Sequence, residues 1–268
     1  MSTAAPGASK AAFANDLQLV LPPRSAPAGS GVSWIGTGWR LFAKAWLMWI
    51  VSLLVIFVLA IVVSLIPIIG SLAFQVLNPV FAAGFIVACY SLERGGEFEI
   101  EHVFAGFKNN FGSLAVVGIL FLVGWLLIFV VVAAFVGFGV FMAAISGNTN
   151  DVTAALATSG MSMLVGLLVM LLLMVPLLMA YWFAPALVVM HNLSPIESMK
   201  ASFSGCLRNI VSFLVYGIVM LLLCFVALIP FGLGMLIWVP VAITSTYAAY
   251  REIFTDEAAS TAPAPKKF

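Results

Sequence analysis

Four stretches without a charged residue dominate the chain, between Lys44 and Glu93, Lys108 and Asp151, Asp151 and Glu197, and Arg208 and Arg251. Each is overwhelmingly apolar. A helix crossing a bilayer needs about 20 apolar residues, because its rise must match about 30 Å of hydrocarbon. By that measure the first and last stretches each hold two helices and the middle two hold one each. The pattern therefore predicts six spans, at about 46–66, 71–92, 113–145, 161–190, 210–229 and 231–250. Proline with glycine close behind, in Pro67-Ile-Ile-Gly70 and Pro230-Phe-Gly-Leu-Gly234, predicts tight hairpins. The connection 146–160 reads as longer and polar. Spans three and four exceed what a bilayer requires, so they are expected to tilt, kink or project. Pro176 and Pro185 give the fourth a cause for a kink.

Shorter amphipathic segments precede the outgoing helices. Ile35, Trp39, Phe42 and Trp46 recur at helical spacing, as do Ile196, Met199, Phe203, Leu207 and Ile210. Ile100, Val103, Phe104, Phe107 and Phe111 share a face opposite Glu99, Glu101, His102, Lys108 and Asn110. Ser194-Pro195-Ile-Glu197 combines a capping box with proline at the first helical position, a helix start. Such segments beside spans predict helices lying in the interface with aromatic residues toward lipid. Trp34, Trp39, Phe107 and Phe203 are the candidate anchors, and Trp34, Trp39, Trp46 and Trp49 together resemble an aromatic belt.

Paired this way, the chain reads as three copies of one unit: an amphipathic segment, an outgoing helix, and a returning helix bearing Pro79, Pro185 or Pro240. The returning helices carry small residues four apart, at Gly84 and Ala88, Ala180 and Ala184, and Ala242 and Thr246, which allow close helix approach. They are expected inside, with the outgoing helices toward lipid. The predicted fold is all-α and integral to the membrane: six transmembrane helices as three pseudo-repeated hairpins, each preceded by a short cytoplasmic interfacial helix.

Composition agrees with that class: 64% of the 268 residues are hydrophobic and 8% charged, against about 25% charged in soluble domains. The basic residues settle an orientation. Lys10, Arg24, Arg40 and Lys44 precede the first span, Arg94 and Lys108 share one connection, Lys200 and Arg208 another, and Arg251, Lys266 and Lys267 close the chain. All eleven fall on one side of the predicted membrane, which the positive-inside rule makes cytoplasmic, together with both termini. A formal net charge of +1 spread thinly along one interface argues against nucleic-acid binding. Residues 1–30, rich in Ala, Pro, Ser and Gly, with only Leu17-Gln-Leu-Val-Leu21 able to attach transiently, and residues 255–268 are expected as disordered tails around a membrane domain at 31–254. The start lacks the pattern of a secretory signal. Cys89, Cys206 and Cys224 have neither disulfide nor zinc spacing and read as packing residues.

None of the six predicted spans contains Asp, Glu, Lys, Arg or His, so the usual relay of a proton-coupled carrier is missing. Gln75 and Asn78, beside Pro79, are the candidate polar pair: they either line a small cavity or satisfy the carbonyl that the proline frees. Glu97, Glu101 and His102 offer metal-ligand types, but without a ligand spacing, and the latter two lie on a solvated helix face. Gly31-Val-Ser-Trp-Ile-Gly36-Thr-Gly38 lacks the lysine of a phosphate loop. No nucleophile elbow accompanies the serines. No catalytic, cofactor or metal site is expected.

The stretch from Arg24 through Trp34 and Trp39 to Phe42, with Ser194-Pro-Ile-Glu-Ser-Met-Lys-Ala-Ser-Phe203 and Tyr247-Ala-Ala-Tyr-Arg-Glu-Ile-Phe254, resembles an uncharacterised family of proteobacterial inner-membrane proteins. More distantly, the third unit is similar to the multi-span membrane region attached to some glycerophosphodiester phosphodiesterases, without their catalytic domain. The resemblance implies location and architecture. The expected function is a structural or interaction role in the bacterial inner membrane without catalysis, in contact with lipids and with a membrane-protein partner or a second copy of the chain. The alternative is a permease or flippase-like carrier for an apolar or amphipathic small molecule.

Overall fold

The computed structural model describes residues 17–145 and 149–256. Among them the chain is helical: α1 (Ser30–Lys44), α2 (Trp46–Ser64), α3 (Ile69–Glu93), α4 (Ile100–Val103), α5 (Ala105–Lys108), α6 (Phe111–Ile145), α7 (Thr149–Trp182), α8 (Ala184–His191), α9 (Pro195–Arg208), α10 (Ile210–Leu228) and α11 (Met235–Phe254). Five segments are long and apolar enough to cross a membrane: Trp46–Ser64, Ile69–Glu93, Phe111–Ala134, Met163–His191 and Ile210–Leu228. The sixth expected span corresponds to α11, which has the length, at 20 residues, but is not among the five. Thr244, Ser245, Thr246, Arg251 and Glu252 dilute its apolarity.

One expectation is corrected and another is narrowed. The polar connection expected at 146–160 is helical from Thr149, where the run Ala154-Ala-Leu-Ala157 supplies strong helix formers. The fourth span is interrupted at Phe183, between α7 and α8, with Pro185 in the first turn of α8. Pro176 sits within the continuous α7, so the interruption belongs to Pro185, whose ring cannot follow an unbroken turn. The break leaves an orphan amide. It is satisfied from α9, where Ser202 Oγ accepts from Phe183 N at 2.9 Å.

The chain divides into two compact units, one formed by residues up to Gly118 and from Ala180 onward, the other by Ile119–Met179. In the second unit Leu177 packs against Gly124, where a Cβ would come within 2.8 Å of its side chain. Trp125 stacks on Phe129 with centroids 5.9 Å apart. Leu127, Val130 and Leu172 are exposed there, as lipid-facing side chains are.

In the first unit the core is built from the ends of the returning helices. In α3 nearly every residue from Pro79 to Leu92 is buried, in α8 every residue from Ala184 to Met190, and in α11 most of Pro240 to Phe254. Phe183 meets the ring of Phe254 edge-on at 5.3 Å. Trp49 stacks on Phe85 at 5.6 Å and meets Phe98 edge-on at 4.8 Å. By contrast α2 buries only Trp49 and Ser52, and α10 only Ser212, Tyr216 and Met220.

Each amphipathic segment is docked on a returning helix, the first two through small residues. α1 lies on α11, where a Cβ on Gly38 would overlap Ser245 and where Thr244 Oγ1 donates to the Gly38 carbonyl at 2.9 Å. α4 and α5 lie on α3, where a Cβ on Gly84 would overlap the Val103 carbonyl and one on Gly106 the Val80 carbonyl. α9 lies on α8. Its start has the expected capping box, with Ser194 and Glu197 exchanging hydrogen bonds.

The boundary of the expected N-terminal tail also shifts. Leu17 is buried, Leu19 pairs with Thr255 in an isolated antiparallel bridge, and Val20 N donates to Phe254 O at 2.8 Å. A segment rich in proline, with few amides to satisfy, orders here because Asn209 and the end of α11 meet its polar backbone groups. The rest of both expected tails, residues 1–16 and 257–268, lies outside the described residues.

Candidate functional site

Polar side chains converge where α3 and α11 end together beside α1, and each arrives there for a local reason. Glu93 and Arg251 stand in the last turns of α3 and α11, just past the apolar stretches that bury the rest of those helices. Their ion pair closes at 3.1 Å, and Tyr247, one turn earlier on α11, donates to Glu93 Oε2 at 2.5 Å. Arg251 is 8% exposed. A guanidinium so placed needs a carboxylate and full hydrogen bonding, which Glu93 and Thr255 Oγ1 provide, the latter at 2.9 Å. The adjacent Glu252 accepts from Ser30 Oγ at 2.7 Å and from Trp34 Nε1 at 2.6 Å, tying the start of α1 to α11.

Around these groups lies a cavity of about 410 Å³, whose lining includes Arg40, Lys44, Glu93, Tyr247, Arg251 and Glu252. Lys44 Nζ donates to Leu92 O and Arg40 Nη2 to Thr37 Oγ1, each at 3.0 Å. Neither cation has a carboxylate partner among the described residues. A second cavity, of about 480 Å³, opens beside α4 and α5, with Arg94, Glu99, Glu101, His102 and Lys108 in its wall.

On the neighbouring edge Asn209, 2% exposed, fastens the N-terminal segment. Its Oδ1 accepts from Ala26 N at 2.6 Å, and its Nδ2 donates to Arg24 O at 2.8 Å and Gly205 O at 2.9 Å. Arg208 Nη1 donates to Pro23 O at 2.6 Å, and Arg24 pairs with Asp256 at 2.7 Å. Burial pushes the Cys206 thiol up to about 12, against a weaker lowering from Ser202, so it is held as a protonated packing group. Hydrogen bonds from Ser194 hold the exposed Glu197 carboxyl below its ordinary value, the electrostatic signature of its capping role.

The residues singled out from the sequence fall differently. Asn78 is exposed and accepts from Tyr181 OH at 2.7 Å, while Gln75 is half-buried one turn earlier. Trp39, at 51% exposure, and Phe107, at 38%, present outward as anchors would. Phe107 also packs edge-on with Phe81 at 5.3 Å, and Phe203 is half-buried. Trp34 is no outward anchor: at 2% exposure it is enclosed, with its indole N–H on Glu252. Trp49 is fully buried too, so the belt reduces to Trp39 and Trp46. Glu101 pairs with Lys108 at 3.1 Å, and His102 Nδ1 accepts from Glu99 N at 3.1 Å in a reciprocal cap.

Sequence reasoning missed the cluster of Glu93, Tyr247, Arg251 and Glu252. The available signal was positional, since Glu93 and Arg251 each terminate a returning helix and carry opposite charge. It also missed Asn209, for which no pattern in the sequence gave notice.

No family model matches the chain, and no solved structure matches it. It is 29% identical over 198 residues to a probable inner membrane protein of Burkholderia thailandensis, an alignment covering 71% of this chain and 72% of that protein. None of these comparisons carries the likeness to the membrane region of the phosphodiesterases. With five apolar helices and this relative, the chain is a multi-pass inner-membrane protein.

Proposed function

We propose that the chain is a six-helix inner-membrane protein with a structural or interaction role, without catalysis of its own, and with both termini and the polar cluster in the cytoplasm. The observation that carries this reading is the filled core at the charged end, where α8 is buried from Ala184 to Met190 against α3 and α9. Carriers need a path through their centre. The carboxylates of the cluster are committed to Arg251, Tyr247, Ser30 and Trp34 rather than poised beside a nucleophile.

The docking pattern supports the three-unit reading. The first amphipathic segment lies on the third returning helix, the second on the first, and the third on the second, a cyclic order that threefold pseudosymmetry predicts. Two of the contacts share an offset: Gly84 and Ser245 each follow a buried proline, Pro79 and Pro240, by five residues. On this reading α11 is the sixth span, tolerating its polar residues because it is enclosed by protein.

Orientation is tested with single cysteines at positions 148 and 200 in a cysteine-free background. An impermeant thiol reagent added to intact cells labels position 148 and spares position 200; the reverse labelling sinks the topology. The role is tested by complementation of a deletion strain. Glu101→Ala with His102→Ala leaves abundance and complementation unchanged, whereas Phe107→Asp with Phe203→Asp reduces folded, embedded protein. Folded and abundant alanine variants that fail to complement would reverse the non-catalytic reading.

The carrier reading draws on the exposed Asn78, paired with Tyr181 beside Pro79. Asn78→Leu with Tyr181→Phe separates the two. Loss of complementation at normal abundance favours the carrier, and retained complementation the structural role.

A further inference from the structure

We infer that the cavity between α1, the end of α3 and α11 is a binding site for a phosphate group, placed to take the phosphate of an anionic membrane lipid. The charge in its wall is unbalanced. Glu93 is neutralised by Arg251 and also accepts from Tyr247, while the oxygens of Glu252 are taken up by Ser30 and Trp34. Arg40 and Lys44 then outweigh Glu252 by one positive charge.

The cations also have donors to spare. A guanidinium carries five N–H groups and an ammonium three. Among the described residues the contacts of Arg40 use only Nη2, those of Lys44 one hydrogen toward Leu92 O, and those of Arg251 its Nε and Nη1. A phosphate accepts charge-assisted hydrogen bonds on several oxygens. A void of about 410 Å³ is roomy enough for such a group. Arg251 forms a buried, pre-oriented floor, while Arg40 and Lys44 are exposed at the side.

The surroundings favour a lipid as the source. Arg40 follows the exposed Trp39 and Lys44 precedes the exposed Trp46, and indole rings seat at the headgroup level of a bilayer. From there Leu47, Val51, Leu54 and Val58 continue down α2 at spacings of three and four, each exposed, an apolar track for an acyl chain. A free phosphate compound offers the cavity the same oxygens but makes no use of this track.

The assignment rests on the embedded, non-catalytic reading above, and its test separates the two. The purified full-length chain in detergent is titrated with phosphatidylglycerol, with diacylglycerol of the same chains, and with inorganic phosphate, and followed by native mass spectrometry. Phosphatidylglycerol binds and diacylglycerol does not. Arg40→Gln with Lys44→Gln weakens binding about thirtyfold, since each basic group near a lipid phosphate contributes about a fivefold factor. Lys108→Gln with Lys200→Gln, the same loss of charge elsewhere, leaves it unchanged.

Inorganic phosphate that displaces the lipid shows that the site takes the free anion as well; failure to displace it assigns the site to lipid. Equal binding of diacylglycerol, or wild-type affinity in the Arg40 and Lys44 variant, overturns the site while leaving the structural reading intact. Release of the headgroup from bound phosphatidylglycerol overturns the non-catalytic reading while leaving the site in place. Should the double substitution melt differently from the wild type, Arg40→Gln alone, at an exposed side chain, carries the same comparison with a loss of about fivefold.

Discussion

α2 and α3 are consecutive helices of similar origin, and they differ in the opposite sense to helices of a soluble protein. The best apolar window of α2 has a mean hydropathy of 3.0 and is 11% buried, whereas that of α3 has a mean of 1.9 and is 56% buried. α10 repeats the first case, at 2.8 and 22%. α11, the least apolar of the long helices, is enclosed along most of its second half. In water, apolar surface drives a helix inward. In lipid that drive is absent, and helices are drawn together by close packing and by hydrogen bonds that hydrocarbon cannot provide. Burial here therefore follows Gly84, Ala88, Thr244 and Ser245 rather than Leu and Val.

Substitutions paired across the two kinds of helix put that contrast to the test. The largest difference is expected between Leu187→Ala in α8, where the side chain is fully buried, and Leu214→Ala in α10, where it is 60% exposed. The first should cost about 2–5 kcal/mol through the cavity it leaves, and the second close to nothing. Thermal unfolding in detergent measures both, and equal losses would erase the distinction.

Next comes glycine. Gly84→Ala drives a methyl into the Val103 carbonyl and should cost about 1–3 kcal/mol. Gly217→Ala meets open space on α10 and should be neutral or stabilising by up to about 1 kcal/mol, the gain in helix propensity. Opposite signs in one assay would sharpen the comparison more than either value alone.

A smaller effect is expected at the start of α9. The folded-state carboxyl of Glu197 is lowered from an ordinary value of 4.5, so its contribution is present above that value and lost as pH falls through the lowered one. The melting temperature of the wild type should converge on that of Glu197→Gln as the pH drops below about 4.5, and a constant gap would remove the cap from the account. The smallest effect concerns Ser52, whose buried hydroxyl lacks a hydrogen-bond partner among the described residues, as does the indole nitrogen of Trp49 one turn away. Ser52→Ala should be neutral or raise stability by up to about 1 kcal/mol, and a clear loss would reveal a partner for that hydroxyl.

Much of the helical layout was legible because membrane thickness constrains span length so tightly. α2, α3, α6 and α10 begin and end within about two residues of expectation. The capping box at Ser194 and Glu197 was legible as well, being a local pattern with a local cause. The break at Phe183 was only half legible: Pro185 announced a disturbance, but its tolerance depends on Ser202, a contact within a different segment. Asn209 escaped notice, and Leu17–Leu21 was legible only as a run able to attach transiently, because their partners lie far along the chain. α11, expected as the sixth span, was the ambiguous case, since its polar residues keep it out of the five apolar helices and much of it is enclosed by protein.

The seat of α1 on α11 has a consequence for biosynthesis. Gly38 and Thr244 meet across 206 residues. At about 5–20 residues per second, the ribosome delivers α11 roughly 10–40 seconds after α1 has emerged. During that interval the first helix is without its berth, and its exposed Val32, Trp39 and neighbouring Trp46 suit it to wait on the membrane surface. The berth is supplied only when α11 is made, so a ribosome stalled before α11 leaves the first helix undocked.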